Sequence, residues 1–547
     1  MKDIEFNLLD EPWVRVMDGD CNVVELSLKD TIINAHKYKS LKGELPTQDI
    51  AVMRLILAVL HTIFSRVDEN GEEESIDSKK DALKRWKALW DKGKFSEKAV
   101  CEYFEKWHER FWLFHPDRPF GQVAGLKSGT DYTSAKLNGE ISESSNKIRL
   151  FASYSGEEKQ SLTYSQTARW ILYLNGYDDT SSKASKAEKE RAKKEGREVL
   201  STGAGWLGKL GLIFIKGNNL FETLMLNLVM INSGEVQSEQ KPAWENETVS
   251  KRERFEIAMP DNLAELYTLQ SRRLILVRNN DRVTGYKLIG GDFFQKENAF
   301  FDPMTVWRTP KKENQPYTPK RHDSSKQMWR EFSVLYNGES NKCSGVVEWF
   351  QKYLCCYGLI PSSYIFQTAI ASVEYGDKDF FVKNVFSDSL SMYTSLLSEA
   401  GNNWRNDIEI EIEKCDKLAS AISFLARNIY IASGGSDVST ESAGNLAKAQ
   451  LYYRLDKPFR EWLRNINPDD DSESKADIIK RWQDTAIKTA FDYCDELAEN
   501  ASETAVIGHF VLGKSSDKEL YSVPKSINIF KGQVRKIYKT ESKEGEK

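Results

Sequence analysis

The chain has 547 residues, of which 40% are hydrophobic and 29% are charged, and its formal net charge is −5. This length exceeds one ordinary hydrophobic core and predicts two or three domains, while the composition excludes a disordered chain. The slightly acidic charge excludes a uniformly basic surface, so any contact with DNA or RNA must come from local patches. The seven cysteines form no CxxC pair, which excludes a cysteine zinc knuckle and indicates a reducing compartment.

The N-terminal segments predict a β-hairpin. Asp18-Gly19 lies between two alternating segments, Val14–Met17 and Val23–Leu28, and this dipeptide favours a tight turn. Trp13 precedes the first strand, and we expect its large apolar ring to lie in the core. The first residues carry no apolar signal core, and no run of 18 apolar residues occurs. The sequence therefore predicts no membrane span.

Three helices are predicted next. Thr47–Val67 has apolar residues around most of its circumference, so we expect a buried helix with Thr47 as its N-cap. Lys79–Lys92 and Glu97–Trp112 show helical spacing with lysine-rich outer faces.

The stretch Ser201–Thr223 holds four glycines within nine residues, Gly203, Gly205, Gly208 and Gly211, with Trp206 among them. Glycine permits positive φ angles and close backbone approach, so the stretch predicts a loop that leads into a strand. Two interpretations remain open at this point. The loop is either a turn between core elements or a surface laid against a nucleic-acid backbone.

Residues 301–330 form a basic segment interleaved with prolines and aromatic residues. Its seven cations outnumber three acids, Asp302, Glu313 and Asp323. Such a loop suits phosphate contacts, although a solvated loop has the same composition. The cations are Arg308, Lys311, Lys312, Lys320, Arg321, Lys326 and Arg330.

The C-terminal part changes to a helical pattern. Tyr364–Tyr375 alternates like a strand and ends in the turn Gly376–Asp379. Helical segments follow, which predicts an α+β protein: a large mixed α/β domain over residues 1–385, then a four-helix bundle over residues 386–547. We expect the basic end, Lys531–Lys547, to be frayed. The predicted helices are Leu390–Ala400, Asn406–Ala432, Ala443–Arg464 and Ser474–Asn500.

The sequence carries no recognisable catalytic or metal-binding motif. It lacks GxxxxGK[ST], HExxH and GxSxG patterns, and its six histidines show no paired ligand spacing. His322-Asp323 is one HD dipeptide without further histidine or acidic partners. We therefore predict a binding protein that is not an enzyme and needs no cofactor or metal. A nucleic-acid hydrolase built around His322-Asp323 is one alternative, and a purely structural adaptor is another.

Six segments of the chain follow one another in the order of a known family. They are FNLLDEPW (Phe6–Trp13), KGELPTQDIAVMRLILAVLH (Lys42–His61), HPDRPFGQ (His115–Gln122), GAGWLGKLG…KGNNLFETLMLNLV (Gly203–Val229), LYTLQSRR (Leu266–Arg273) and GGDFFQKENAF…DPMTVWR (Gly290–Arg308). Together they resemble the CasA family, the large subunit of type I-E CRISPR Cascade. The resemblance runs from the N-terminus to about residue 390, and the bundle fits the family's C-terminal domain by position and pattern only.

The resemblance implies a non-catalytic subunit of an antiviral complex in the prokaryotic cytoplasm. Its partners would be CRISPR RNA, the other Cascade subunits and double-stranded target DNA. The subunit would read the protospacer-adjacent motif (PAM) and help to open the duplex for R-loop formation. It would then help to recruit a helicase–nuclease. RNA pairing supplies sequence specificity in such systems, while protein reads the short duplex motif.

The resemblance also assigns residues that contact DNA. The glycine loop maps onto Gly203-Ala204-Gly205, and the lysine finger onto Lys296, with Lys287 as the alternative. The wedge turn maps onto Asp377, Lys378 and Asp379, where Lys378-Asp379 replaces the Asn-Gln pair that the family pattern has. A glutamine wedge therefore cannot be carried over. Phe380 and Phe381 follow this turn, and an aromatic wedge is conceivable there. We expect both to be core residues.

Two further sets of contacts are implied. A long loop near Phe151–Thr163 would grip the RNA end and neighbouring subunits through Phe151, Ser153, Tyr154 and Ser155. Lys311 and Lys312 lie where the family contacts the displaced strand, and Lys320 and Arg321 of the same basic loop would add phosphate contacts.

Overall fold

The computed structural model describes residues 3–143, 148, 152, 154–179, 190, 194, 203–237, 239–247, 254–257, 260–294, 302–312, 315, 317–337, 341–435, 437–512 and 518–538. The chain divides into two compact units. Unit 1 comprises Met1–Lys326, Ser333–Leu359 and Phe366–Ser389, and unit 2 comprises Gln327–Phe332, Ile360–Ile365 and Leu390–Lys547.

Unit 1 combines helices with several small sheets, which confirms its predicted mixed α/β character. Its helices are Leu28–Ile33, Pro46–Phe64, Lys79–Lys92, Glu97–Trp107, Ser134–Leu137, Gly156–Gln160, Tyr164–Tyr177, Leu220–Leu226, Leu263–Thr268 and Gly345–Trp349. The three-stranded sheets have the orders Val23–Leu26/Val14–Met17/Ser40–Leu41, Arg272–Asn279/Arg282–Gly290/Thr130–Thr133, Thr318–Pro319/Trp307–Arg308/Asn341–Lys342 and Val382–Tyr393/Ile365–Tyr375/Ile213–Lys216. The two-stranded pairs are Glu5–Asn7 with Trp112–Phe114, Arg254–Ile257 with Asp292–Phe294, and Ile231–Asn232 with Glu235–Val236.

The predicted N-terminal hairpin is confirmed. Val14–Met17 pairs antiparallel with Val23–Leu26, and Trp13 is fully buried. The Trp13 indole N–H donates a 2.8 Å hydrogen bond to the carbonyl oxygen of Leu8. This bond satisfies the polar atom of a buried aromatic side chain, as core tryptophans require.

The long apolar helix of unit 1 is Pro46–Phe64, and every residue from Ile50 to Phe64 is buried. The prediction that Thr47 caps it is wrong. Leu45 occupies the N-cap, proline begins the helix, and the Thr47 hydroxyl is buried within the first turn. Proline suits this first position because its missing N–H would have no helical partner.

Among the described residues, this same helix is long and apolar enough to span a membrane by length and composition alone. Within the protein, however, 94% of its most apolar window is buried. It contacts the Tyr164–Tyr177 and Leu263–Thr268 helices. Packing in a protein core therefore accounts for its composition.

The sheet that positions the glycine stretch has the order Val382–Tyr393, Ile365–Tyr375, Ile213–Lys216. The predicted strand ending at Tyr375 is confirmed, and Ala369 pairs with Phe214 in an antiparallel register. The glycine stretch enters this sheet at Ile213. The turn at Gly376 leaves the neighbouring strand. The antiparallel register thus places the end of the glycine stretch alongside this hairpin.

Unit 2 is mostly helical. The Asn402–Ala432 helix contacts each of the other three long helices. Its core includes the Trp462 and Trp482 rings, stacked at 5.3 Å between centroids. The helices of the unit are Thr394–Leu397, Asn402–Ala432, Asp437–Arg464, Lys475–Glu499, Glu503–Ile507 and Val523–Tyr538, and His509–Leu512 pairs with Lys518–Tyr521.

Two C-terminal predictions are wrong. Leu390–Ala400 is not a long helix, because the Val382–Tyr393 strand continues into it and only Thr394–Leu397 is helical. Residues 531–538 are not frayed, since they belong to the Val523–Tyr538 helix, which buries Phe530 and Val534. That apolar face packs on the Asn402–Ala432 helix, which overrides the basic composition.

Candidate nucleic-acid interface

The glycine loop presents one accessible residue rather than three. Gly203 has φ +60°, the left-handed region that favours glycine, and it is partly exposed. Ala204 is 2% exposed, and Gly205 is buried, with its N–H donating a 2.8 Å hydrogen bond to the Asp178 carbonyl oxygen. A Cβ atom at Gly205 would lie 2.5 Å from the carbonyl oxygen of Gly176. Close packing against a helix end therefore explains this second glycine.

Tyr375 is the point where the glycine stretch, the hairpin turn and Arg321 meet. Its hydroxyl donates a 2.8 Å hydrogen bond to the Tyr177 carbonyl oxygen. A Cβ atom at Gly208 would lie 2.0 Å from this hydroxyl, so only glycine fits there. The Arg321 guanidinium lies 5.5 Å from the centre of the Tyr375 ring. Burial raises the pKa of Tyr375, which keeps the hydroxyl protonated as a donor.

The predicted wedge turn is an exposed hairpin tip with an unusual backbone. Lys378 and Asp379 have φ +55° and +57°, a region that side chains other than glycine rarely adopt. Asp377 and Lys378 are exposed. Phe380 and Phe381 are 50% and 45% exposed, so the expectation that they are core residues is wrong. They lie at the tip of the hairpin, where a Cβ atom at Gly376 would lie 2.3 Å from the Phe381 ring.

An ion pair fixes this turn to the basic loop. Both terminal nitrogens of Arg321 donate 2.8 Å hydrogen bonds to the two carboxylate oxygens of Asp379. The hydrogen bonds to Asp379 raise the pKa of Arg321 against the effect of burial. The Arg321 side chain is 35% exposed and the Asp379 side chain 29%. Arg321, predicted to contact phosphate, thus already holds an anion within the protein.

Lys209 places an ammonium group beside the glycine loop. A Cβ atom at Gly203 would lie 3.0 Å from the Lys209 Nζ. Burial, followed by repulsion from Arg272 and Arg321, lowers the pKa of Lys209 to about 8, with Asp379 opposing the shift. Lys209 forms no ion pair with any carboxylate that the structure describes. An incoming phosphate would relieve this repulsion.

A buried charge cluster holds the start of the glycine loop from beneath. Arg272 is fully buried, donates a 2.7 Å hydrogen bond to the Asp178 carboxylate and a 2.8 Å bond to the Gly203 carbonyl oxygen. The Lys136 ammonium lies 2.7 Å from the Asp179 carboxylate and 3.8 Å from that of Asp178. Two cations and two anions therefore compensate one another away from water.

The remaining predicted DNA contacts lie in several places. Lys311 and Lys312 are exposed. The Lys320 carbonyl oxygen would lie 1.7 Å from a Cβ atom at Gly211, so the basic loop passes directly over the glycine stretch. Lys287 is paired with Asp131 at 2.7 Å. Lys296 lies outside the described residues.

The predicted RNA-end loop is described only in part. Phe151 and Ser153 lie outside the described residues. The Tyr154 hydroxyl donates a 2.7 Å hydrogen bond to the Glu140 carboxylate, and burial together with this bond raises the pKa of Tyr154. Ser155 is exposed at the start of the Gly156–Gln160 helix.

The His322-Asp323 dipeptide is used in local structure. The His322 Nε2–H donates a 3.0 Å hydrogen bond to the Leu212 carbonyl oxygen. The Asp323 carboxylate accepts hydrogen bonds from the backbone N–H and the hydroxyl of Ser325, at 3.0 and 2.7 Å. Among the described residues, no group of three or more His, Cys, Asp and Glu side chains could hold a metal ion.

Sequence reasoning missed three residues of this site: Lys209, Arg272 and Tyr375. Lys209 lies six residues after Gly203, so its proximity was the one readable signal. The arginine and the tyrosine act through partners that are distant in sequence, Asp178 and Tyr177 respectively. Such pairing cannot be read from local spacing.

The fold is shared with CRISPR-associated proteins of known structure. Cse1 from Thermobifida fusca is 25% identical with a TM-score of 0.80, and the match covers 98% of both chains. Cse1 from Acidimicrobium ferrooxidans is 22% identical with a TM-score of 0.78, again over 98% of both chains. A chain of a CRISPR RNA-guided surveillance complex is 17% identical with a TM-score of 0.66, over 97% of this chain and 99% of that one.

The sequence comparison identifies the family. The family model for the CRISPR-associated protein Cse1 matches residues 7–493. A curated CasA/Cse1 protein of Thermus thermophilus is 28% identical over 352 residues, which is 63% of this chain. The chain spans 62% of the length of that relative. The chain belongs to the Cse1 family of CRISPR-associated proteins, and the predicted relation to CasA is confirmed.

Proposed function

We propose that this chain is the non-catalytic large subunit of a type I-E CRISPR Cascade complex. It reads the PAM in double-stranded target DNA, helps to open the duplex and helps to recruit the helicase–nuclease. Family membership and the fold shared with a chain of an RNA-guided surveillance complex support this role. CRISPR RNA and the other Cascade subunits are its constant partners, in the prokaryotic cytoplasm, and no cofactor takes part.

The observation that carries this proposal is the convergence at Tyr375. Gly203 offers backbone atoms, and the Lys209 ammonium lies beside them. The exposed hairpin tip is joined to this surface through the Arg321–Asp379 pair. A duplex approached from its minor groove would meet backbone and lysine first, since that groove admits small, positively charged elements.

We assign the opening of the duplex to the hairpin tip. Phe380 and Phe381 are exposed, and apolar side chains of this kind kink DNA by inserting between base steps. We therefore assign an aromatic wedge in place of the glutamine of the family pattern. Asp377, Lys378 and Asp379 form the turn that presents it. Lys296 remains the proposed lysine finger.

The other predicted contacts complete the proposal. Residues 1–385 recognise the PAM, and residues 386–547 form a four-helix bundle, for which the contacts among the long helices of unit 2 give support. Tyr154 and Ser155, with Phe151 and Ser153, contact the RNA end and neighbouring subunits. Lys311, Lys312, Lys320 and Arg321 follow the displaced strand, where phosphate contacts position the DNA without reading sequence.

Gly203→Asp tests the site directly. The new carboxylate would lie beside the Lys209 ammonium, neutralise it and repel phosphate. Gly93→Asp is the matched control, because Gly93 has φ +69° with open space around its α-carbon. Filter binding of PAM duplex to the assembled complex should weaken at least about tenfold for Gly203→Asp and remain near wild type for Gly93→Asp.

Equal binding by both variants would contradict the site. PAM dependence that survives Lys296→Ala would remove the lysine finger from the proposal. Cleavage of DNA or RNA by the purified chain with Mg²⁺ would contradict the non-enzymatic role.

A further inference from the structure

A cavity of about 580 Å³ lies inside unit 1, behind the glycine loop. Trp206 and Leu207 of the glycine stretch form one wall, and residues 116–125, which include most of the HPDRPFGQ segment, form another. The volume falls within the range of about 300–1,000 Å³ that small-molecule sites occupy. The HPDRPFGQ segment takes no part in the proposed DNA contact, and its place in this wall indicates a separate role.

Two arginines bring positive charge to this cavity. Arg110 donates one 2.6 Å hydrogen bond, to the Asn246 carbonyl oxygen, and Arg118 is exposed. Neither forms an ion pair with a described carboxylate, although Asp117 and Glu247 also line the cavity. Burial and the charge of Arg118 lower the pKa of Arg110. An anion between the two guanidinium groups would remove this repulsion.

The third arginine of the lining does not add free charge. Arg54 is buried and forms an ion pair with Asp302 at 2.9 Å, and its guanidinium lies 4.2 Å from the centre of the Tyr267 ring. Its charge is therefore compensated within the protein. The anion-binding capacity of the cavity comes from Arg110 and Arg118.

Two buried polar atoms of the lining have no hydrogen-bond partner among the described residues. These are the Tyr267 hydroxyl and the Gln270 Oε1, and Tyr267 is only 9% exposed. Buried polar atoms are nearly always hydrogen-bonded, so both groups keep a hydrogen-bonding capacity that the described residues do not fill. A hydroxyl and an amide oxygen can together accept and donate, as the edge of a nucleobase requires.

Aromatic side chains complete the lining. Trp206, Trp244, Tyr267 and Phe120 all contribute to the wall. The indole N–H groups of both tryptophans already donate, to Asp302 at 3.3 Å and to the Tyr103 hydroxyl at 2.8 Å. Their rings therefore offer apolar surface rather than polar groups. Stacking of a base on such surface is worth about 1–3 kcal/mol and tolerates any base.

We propose that this cavity binds one unpaired nucleotide, with its base among the aromatic side chains and its phosphate between Arg110 and Arg118. A bare phosphate would leave the aromatic wall empty, and an apolar ligand would leave both guanidinium groups unpaired. The site is separate from the proposed PAM contact but shares Trp206 with the glycine stretch. The nucleotide comes from a displaced DNA strand, an RNA end or the free pool, which share this chemistry.

Calorimetric titration of the full-length chain tests this site. The probes are the four ribonucleoside 5′-monophosphates and single-stranded DNA and RNA tetranucleotides. We expect saturable binding that Arg118→Gln weakens about tenfold and Tyr267→Phe weakens a few-fold. Arg481→Gln, an exposed arginine of unit 2, is the matched control and should bind like wild type.

The probes also separate the sources. Tighter binding of DNA tetranucleotides assigns the site to a displaced strand, tighter binding of RNA assigns it to an RNA end, and equal affinity for mononucleotides assigns it to the free pool. Absence of saturable binding to every probe overturns the proposal, as does equal binding by Arg118→Gln and wild type. PAM-duplex binding should be unchanged in Arg118→Gln, so failure here is distinguishable from failure of the proposed DNA contact.

Discussion

Two charge clusters flank Gly203, and they differ in burial and in net charge. In the buried cluster, Arg272 and Lys136 meet Asp178 and Asp179, and all four side chains are at most 4% exposed. In the second cluster, Asp379 forms an ion pair with Arg321, whereas Lys209 forms none with a described carboxylate, and the Arg321 and Asp379 side chains are about one-third exposed.

The buried cluster therefore suits a structural role in holding the loop, and the second cluster suits ligand binding. Balanced charges away from water fix geometry, because any unpaired charge there would be strongly unfavourable. Unbalanced charges at a surface keep a positive excess that phosphate can neutralise. Gly203 joins the clusters, since its carbonyl oxygen accepts from Arg272 and its α-carbon lies beside Lys209.

The largest effect should come from breaking the buried cluster. Arg272→Met leaves Asp178 without its main partner and releases the Gly203 carbonyl oxygen. Loss of one member of a buried ion pair destabilises by about 3–5 kcal/mol. Denaturant unfolding of the full chain measures this, with Arg481→Met as the exposed control, which should change stability by less than about 1 kcal/mol. Similar values for both variants would show that burial does not distinguish the clusters.

A smaller effect is expected from Lys209→Met, which removes the excess charge. Each phosphate contact contributes about one unit to the slope of binding against salt, so this variant should lower the slope by about 1 without changing the preferred PAM. Titration of the assembled complex with PAM duplex at several salt concentrations measures the slope. Lys98→Met is the control, because Lys98 already pairs with Glu72 and has no proposed DNA contact. An unchanged slope would remove Lys209 from the interface.

DNA affinity should depend on pH through the charge of Lys209. The pKa of Lys209 is lowered to about 8, so its ammonium is present below pH 8 and is lost above it. DNA affinity should therefore fall between pH 7 and 9 in wild type and stay flatter in Lys209→Met.

Folding stability should move in the opposite direction. The unfolded chain has the higher Lys209 pKa and binds more protons, so this group's contribution to stability rises as pH rises from about 8 toward 10.5. Thermal unfolding across this range measures the contribution as the difference between wild type and Lys209→Met.

A DNA affinity of the wild-type complex that stays constant from pH 7 to 9 would contradict the assignment of Lys209 to the DNA interface.

The smallest effect concerns the backbone of the hairpin tip. Lys378 has φ +55°, and a left-handed residue with a side chain is disfavoured by roughly 1–2 kcal/mol relative to glycine. Lys378→Gly should raise the unfolding midpoint modestly, whereas Lys378→Ala keeps the strain and loses the same charge. If the two variants unfold at the same temperature, strain is not stored at this turn.

Sequence reasoning predicted elements whose signals are local. The hairpin at Asp18-Gly19, the buried helix and the strand ending at Tyr375 follow from turn chemistry and apolar periodicity, and all three are present. The predicted helix Leu390–Ala400 failed because a long strand and a helix both accept an apolar segment of that length. The prediction of a frayed end failed because the Val523–Tyr538 helix is held by packing of its apolar face, which its basic composition does not reveal.

The candidate site was predictable only in outline. The glycine stretch and the turn were visible as sequence patterns, yet their meeting depends on Tyr375 filling the space that Gly208 leaves open. The exposure of Phe380 and Phe381 depends on which elements cover the hairpin tip. Neither a distant ion-pair partner nor the exposure of a hairpin tip can be recognised from the neighbouring residues in the sequence.

We propose above all that the hairpin tip beside the glycine loop meets the DNA at the PAM. Placing the photoreactive residue p-benzoylphenylalanine at Phe380 of the assembled complex tests this claim directly, since the substituted side chain remains aromatic and exposed. Irradiation with PAM duplex should produce crosslinks at or next to the PAM. The same substitution at Phe510, which is 62% exposed in unit 2, should produce none there. Equal crosslinking from both positions, or none from position 380, would contradict the account.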